Sequence, residues 1–254
     1  MTIVTLTTDF GGHYAGIMKG VIKRIAPQAD VVDLTHEVEA WDVKSAAFVL
    51  LSSYKYFPEG TIHVVVVDPG VGTGRKALAL KTRRYIFVGP DNGVLSPASE
   101  EDGVEEAFEI SSPRFMLKEV SSTFQGRDIF APAAAMIASG SPISDSGRGV
   151  ERWERLEFWK RLGERSADCE VIYADRFGNL TISLRGSDVE LEGNVDLVVE
   201  GKTFAATKAR TFSDLKDGLG VLVGSSGFYE IAVDRGSARS LTGAKVRSLV
   251  RLKW

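Results

Sequence analysis

The chain has one cysteine, three histidines and no block of like charge in 254 residues. Cys169 alone cannot form an internal disulfide and reads as a small buried residue. No CxxC or paired-histidine spacing appears, so neither a disulfide framework nor a zinc site is supported. Lysine and arginine number 31 against 34 acidic residues, a net charge of −3 without a basic run, which argues against a nucleic-acid partner held by phosphate contacts. The stretch MTIVTLTTDF lacks a positive leader and meets Asp9 too early for a signal segment or a membrane span, so a cytoplasmic protein with no membrane partner is expected. What is present is ordinary: 44% hydrophobic and 26% charged residues suit a globular chain long enough for one large domain or two smaller ones.

Up to about residue 140, short β-rich runs alternate with helical patterns. MTIVTLTT predicts a strand, YAGIMKGVIKRIA a helix stopped before Pro27, ADVVDLT a strand, and VKSAAFVLLSSYKYF a second helix ended by Pro58. TIHVVVV has no polar alternation, as expected of a strand covered on both faces. KALALKT and RRYIFVG add strands, and RDIFAPAAAMIASG reads as a helix with Pro132 in its first turn. This alternation predicts a Rossmann-like α/β domain with a mostly parallel sheet over residues 1–150. From residue 168 to 254, short β runs separated by Gly, Asp and Ser turns predict a smaller all-β domain, sandwich or barrel. The connector 151–167, which contains ERWERLEFWKRLGERS, fits either an amphipathic helix or an extended segment.

In α/β sheets, ligands gather at the carboxyl ends of the strands. TTDFGGHY, VDPGVGTGR and STFQGRD fall there. The glycines of VDPGVGTGR suggest a phosphate cradle, but KALALKT after them alternates like a strand. No helix N-terminus is offered to an anion, and Asp68 would repel it. Taken singly, Asp68 and Asp9 fit turn caps, Trp41 fits packing, Arg127 and Asp128 fit an internal ion pair, and His13, His36 and His63 fit hydrogen-bonded structural roles.

In order along the chain, however, stand TTDFG, WDV, VDPGVGT, PDNG, STFQGRDIFAP, DRFGN and GSSGFYEIAV. In this set the chain resembles the S-adenosylmethionine hydrolase family (S-adenosylmethionine hydroxide adenosyltransferases), itself similar to the nucleophilic fluorinases and chlorinases. The resemblance implies an N-terminal α/β domain, a C-terminal β-barrel, and a homotrimer with sites between the N-terminal domain of one subunit and the C-terminal domain of the next. It also implies displacement of methionine by water at C5′ of S-adenosyl-L-methionine, giving adenosine, with no metal or cofactor. By motif, Asp9 resembles the acid on both ribose hydroxyls and Trp41 the wall beside ribose and sulfonium. Phe124 falls among the substrate-binding residues, and Asp175 resembles the partner of the methionine ammonium. Phe177 and Phe212 resemble faces of the adenine slot, Asn179 the residue on the adenine edge, and Ser225 a methionine contact. Asp68 and Arg75 match two of three groups around the attacking water. The third is a histidine in the family pattern and Gln125 here, which takes no proton near neutrality but still donates and accepts hydrogen bonds. Two other readings stand beside hydrolysis: halide as nucleophile, or a non-catalytic adenosine or S-adenosylmethionine sensor.

Overall fold

The computed structural model describes residues 1–215 and 218–254, in two compact units, 1–156 and 157–254. In the first, the valine run becomes a central strand because every residue of it finds apolar cover. Strands β1 (Ile3–Thr8), β2 (Asp30–Thr35), β3 (Ile62–Val66), β4 (Ala77–Thr82), β5 (Ile86–Pro90), β6 (Val104–Ile110) and β7 (Gly147–Gly149) form one sheet in the order β2-β1-β3-β5-β4-β6-β7. Strands β2, β1, β3 and β5 pair in parallel; β4 pairs antiparallel with both β5 and β6, so five of the seven strands point the same way. Ile62, Val64 and Val66 face one core while His63 and Val65 face the opposite side, so both faces of β3 are buried.

Helix α1 (Gly12–Ile25) buries Ala15, Met18 and Ile22, a stripe at helical spacing, and ends at Ala26 just before Pro27. Helix α2 (Val43–Ser53) starts from Asp42, whose carboxylate accepts the Ser45 N–H at 3.1 Å. Helix α3 (Ser96–Asp102) packs against α2, and α4 (Ala131–Ala138) against α1. Pro132 is the second residue of α4, but the helical backbone before it is continuous, so it stands at the junction of a π-helical turn and α4 and not at a free helix start. The residues before it, Gly126–Phe130, form a wide π-helical turn, a form that often marks functional sites. Opposite α1 and α4, the rings of Tyr54, His63, Tyr85 and Phe87 pack together. His63 there bonds Thr5 at 2.8 Å, and burial lowers its pKa to about 4, which makes it a neutral core residue. Helix α3 and strands β6 and β7 carry no pattern strong enough to be read in the sequence.

The second unit is a closed barrel. Strands β8 (Lys160–Leu162), β9 (Ser166–Ala174), β10 (Leu180–Arg185), β11 (Asn194–Val199), β12 (Lys202–Lys208), β13 (Leu219–Val223), β14 (Phe228–Val233) and β15 (Leu249–Lys253) pair in the order β10-β14-β13-β12-β11-β15-β9-β8, and β10 also meets β9. That last pairing closes β9 to β15 into a ring with no free edge, leaving β8 as an added strand on β9. Its interior holds Leu180, Ile182, Leu197, Val221, Tyr229, Ile231 and the buried Cys169. A short helix, α5 (Ala238–Thr242), precedes β15. The segment with two sequence readings is not helical: it runs irregularly to Trp159 and then forms β8. The run NVDLVVEGKTFAAT is a hairpin, β11 to β12, that turns at Glu200 and Gly201.

Candidate active site

Strand β1 lies between β2 and β3, and the chain leaves it first to one side and then to the other. The carboxyl ends of β1, β2 and β3 therefore open on a topological switch point, the usual place for a ligand in such sheets. A cavity of about 290 Å³ lies there, lined by Asp9, Trp41, Asp68, Phe124 and Gln125 together with Phe10, Val66 and Thr123. Asp9 follows β1, Trp41 stands in the loop after β2, Asp68 follows β3, and Phe124 and Gln125 precede the π turn.

Asp68 is not the cap of its own turn. The Val71 N–H bonds the Asp68 main-chain carbonyl, and the carboxylate instead faces Arg75. Arg75 Nε donates to both carboxylate oxygens at 3.0 Å, and its Nη2 donates both to Asp68 Oδ2 and to Gln125 Oε1. Its remaining terminal nitrogen, Nη1, donates to the Lys76 carbonyl at 3.1 Å, and the guanidinium lies over the Phe130 ring. An arginine only donates, so the Gln125 amide must turn its oxygen to Arg75 and keep its NH2 group for another partner. The side chains of this pair are 10% and 5% exposed, so it is a nearly buried ion pair opening on the cavity. After the turn comes β4, not a helix, which removes the anion site that a phosphate would need.

Two features fix the segments. Gly72, at φ +78, lies so close to Ser122 that a Cβ there would sit 2.5 Å from the Ser122 carbonyl oxygen. Only glycine allows that approach, which docks the Asp68 turn on the segment leading to Gln125. Asp128 is fully buried; it accepts the Ser121 N–H at 2.8 Å and pairs with Arg127 at 2.6 Å. Arg127 in turn lies 5.4 Å above the Phe124 ring.

Asp9 accepts the Trp41 N–H at 2.8 Å. Burial holds the Asp9 carboxyl above the ordinary carboxylate range, the Trp41 N–H offsets part of that, and the Asp68 charge adds to it. Trp41 does not pack: it is 70% exposed, with φ at +65, a region rarely used by large residues. His36 bonds Thr8 at 2.8 Å and lies 2.9 Å from Asp33, while His13 lies against Tyr14. None of the three histidines lines the cavity, and among the described residues no group of His, Cys, Asp and Glu could hold a metal ion. No helix among the described residues is long and apolar enough to cross a membrane.

The second unit carries its own cleft, about 690 Å³, lined by Asp175, Phe177, Asn179 and Phe212 and by residues 233–237. Phe177 is 78% and Phe212 45% exposed, an unusual degree for rings that share one cleft. Asp175 Oδ1 accepts the Phe177 and Asn179 N–H groups at 2.9 and 2.8 Å, and Oδ2 accepts Asn179 Nδ2 at 2.9 Å. This leaves the Asn179 amide one N–H and its oxygen, a donor and an acceptor side by side. Ser225 lines neither cavity; it stands in the β13–β14 hairpin. The sequence did not single out residues 233–237. The only signal there is the turn DRGS, in which Arg235 takes φ +49.

Residues 4–147 match the model of the SAM hydroxide adenosyltransferase N-terminal domain and residues 169–251 that of the C-terminal domain. A protein of Salinispora arenicola named (R)-S-adenosyl-L-methionine hydrolase is 38% identical, with 94% of this chain and 92% of that protein covered. One of the same name from Thermus thermophilus is also 38% identical, over 99% of this chain and 100% of its own length. A fluorinase of an Actinoplanes species is 27% identical, covering 84% and 83%. The crystal structure of an uncharacterized conserved protein from Thermotoga maritima superposes with a TM-score of 0.91 at 40% identity, covering 98% of this chain and 99% of that one. With both domain models matched in order and relatives aligned over almost the whole length, the chain belongs to the SAM hydroxide adenosyltransferase family.

Proposed function

We propose that this protein hydrolyses S-adenosyl-L-methionine, with water attacking C5′ to give adenosine and L-methionine. The observation that carries this reading is the Arg75-clamped Asp68 in one cavity with Asp9 and Trp41, within a chain whose nearly full-length relatives are named (R)-S-adenosyl-L-methionine hydrolase. The displacement balances with water alone. A C–O bond forms at C5′, the C–S bond breaks with its electron pair going to sulfur, and the water proton leaves through Asp68.

Making free hydroxide first with an ordinary carboxylate, pKa about 3.9 against about 15.7 for water, would cost roughly 16 kcal/mol. Attack therefore precedes proton loss: as the C–O bond forms, the oxygen becomes acidic and Asp68 accepts its proton late. Arg75 has its N–H groups on Asp68, Gln125 and the Lys76 carbonyl, so its part is to fix the acceptor and the amide. The NH2 group that Gln125 retains donates to the water and leaves one lone pair for C5′. The sulfonium loses its charge as it departs, so an apolar wall at Trp41 favours the transition state over the charged ground state.

Asp9 takes the ribose hydroxyls, Phe124 closes the same cavity, Phe177 and Phe212 stack the adenine, and Asn179 reads its edge. Asp175 and Ser225 stand toward the methionine. These two sets of residues, one on each unit, meet between neighbouring subunits of a cytoplasmic homotrimer. A halide is disfavoured because a like charge about 4 Å from Asp68 costs about 4 kcal/mol at an effective dielectric of 20.

The test is to incubate the protein with both sulfonium epimers of S-adenosylmethionine, with and without chloride, and to separate the nucleosides by chromatography. Adenosine and methionine in both conditions are the expected products. A halogenated nucleoside, or binding without turnover, overturns the reading.

A further inference from the structure

Strand β9 carries an irregularity where it pairs with β10: Ile182 faces Val171, but Thr181 faces Tyr173 and Leu180 faces Ala174. The extra residue turns Ala174 into the barrel core and Tyr173 out of it, as bulges re-aim side chains near sites. On the next strand Thr181 is also paired with Glu230. Tyr173, Thr181 and Glu230 thus form one row across β9, β10 and β14, on the face opposite the core residues Leu180 and Ile231. The Asp175 charge reaches both ends of this row, adding to the effect of burial in raising the pKa of Tyr173 and of Glu230.

Glu230 is half-buried, and among the described residues no hydrogen-bond donor reaches its carboxylate. A half-buried carboxylate beside another acid and without a donor is costly unless a cation comes to it. The carboxylate's place depends on a glycine: a Cβ on Gly224, in the GSSGF turn, would lie 2.0 Å from Glu230 Oε1. In the same turn, the buried hydroxyl of Ser226 also has no partner. Asp175, by contrast, spends three acceptor positions on its own turn, two on Oδ1 and one on Oδ2. One acceptor does not satisfy an ammonium with three N–H donors.

We propose that the α-ammonium of the substrate is held by Glu230 together with the free position of Asp175 Oδ2, Glu230 supplying the acceptors that Asp175 lacks. This rests on the hydrolase reading. Asp175 then has two tasks, orienting the Asn179 amide toward adenine and sharing the ammonium, whereas Glu230 has only the second.

The experiment compares S-adenosyl-L-methionine with 5′-dimethylsulfonio-5′-deoxyadenosine, which keeps the sulfonium and the nucleoside but lacks the amino acid. In Glu230→Gln, KM for S-adenosyl-L-methionine rises roughly tenfold at unchanged kcat, as expected for a lost charged hydrogen bond, while the truncated sulfonium is handled as by the wild type. Gly224→Ala, which places a methyl group where the carboxylate lies, gives the same selective change and serves if Glu230→Gln does not fold. Equal losses on both compounds, or none on S-adenosyl-L-methionine, overturn the assignment. A wild-type protein that binds S-adenosyl-L-methionine without turnover sinks the hydrolase reading alone, and calorimetric affinities of wild type and Glu230→Gln then still decide the role of Glu230. A wild type that binds neither compound overturns both.

Discussion

In the α/β unit the candidate groups are tied to one another, whereas in the barrel unit they stand largely apart. Asp68, Arg75 and Gln125 form one nearly buried hydrogen-bonded set, and Gly72 and the Asp128 clip hold the two segments that carry it. In the barrel cleft, Phe177 and Phe212 present exposed rings, and the hydrogen bonding there stays within local turns, Asp175 to Asn179 and Thr211 to Asp214. The contrast matches the two tasks. A proton acceptor must be in place before the reaction starts, because geometry lost there is lost in the transition state. A planar base needs only two faces and an edge, which exposed rings supply once the base itself covers them.

If the contrast is sound, the largest effect comes from the tied set. Asp68→Asn lowers kcat by about two to four orders of magnitude, the usual worth of a positioned general base, with KM little changed, as measured by adenosine release. Full turnover in that variant ends the proton-acceptor role. Phe177→Ala does the reverse: KM rises by about 5- to 150-fold, since a base–aromatic stack is worth about 1–3 kcal/mol, while kcat stays near wild type. A fall in kcat equal to that of Asp68→Asn would erase the distinction between the two units.

Mixing the two variants sharpens it further. If sites form between subunits, co-refolded Asp68→Asn and Phe177→Ala chains, assayed at substrate well below the wild-type KM where both variants are impaired, carry about a quarter of fully intact sites, because an intact α/β half then meets an intact barrel half at random. Sites formed within one chain give only the average of the two variants assayed alone. Gln125→Glu keeps an oxygen for Arg75 but loses the NH2 donor; kcat falls roughly tenfold, the worth of one hydrogen bond to a developing charge.

The smallest effect concerns Asp9, whose carboxyl is held above the ordinary range by burial and by the Asp68 charge. A carboxyl with a raised folded-state pKa favours the folded protein at low pH and costs it stability once pH passes that value. Asp9→Asn therefore raises the melting temperature at neutral pH, which thermal unfolding of the unliganded protein will show. In the wild type, kcat/KM falls on acidification at a pH above the usual carboxylate range, as Asp9 loses the charge that accepts the ribose hydroxyls. Asp9→Asn lacks that limb and has weaker substrate binding. An unchanged acid limb in the variant assigns it to another group.

The buried strand β3 with its valines, the stripe of α1, the helix through RDIFAPAAAMIA and the barrel's short runs were all legible, because apolar periodicity is a local property of the chain. So were the positions of Asp9 and Asp68 just after strands and of Gln125 just before a helix. Strand β6 and the path of residues 151–159 were not, since each is fixed by what it packs against. The tertiary structure alone decided that Asp68 faces Arg75 and not its own turn, that Gln125 turns its oxygen to the guanidinium, and that Asp175 spends three acceptor positions on Phe177 and Asn179. It alone also left Glu230 without a donor among the described residues. Residue types and their order set which groups are available. Which donor meets which acceptor depends on directions and distances between segments as far apart as residues 75 and 125, and these exist only once the chain has folded.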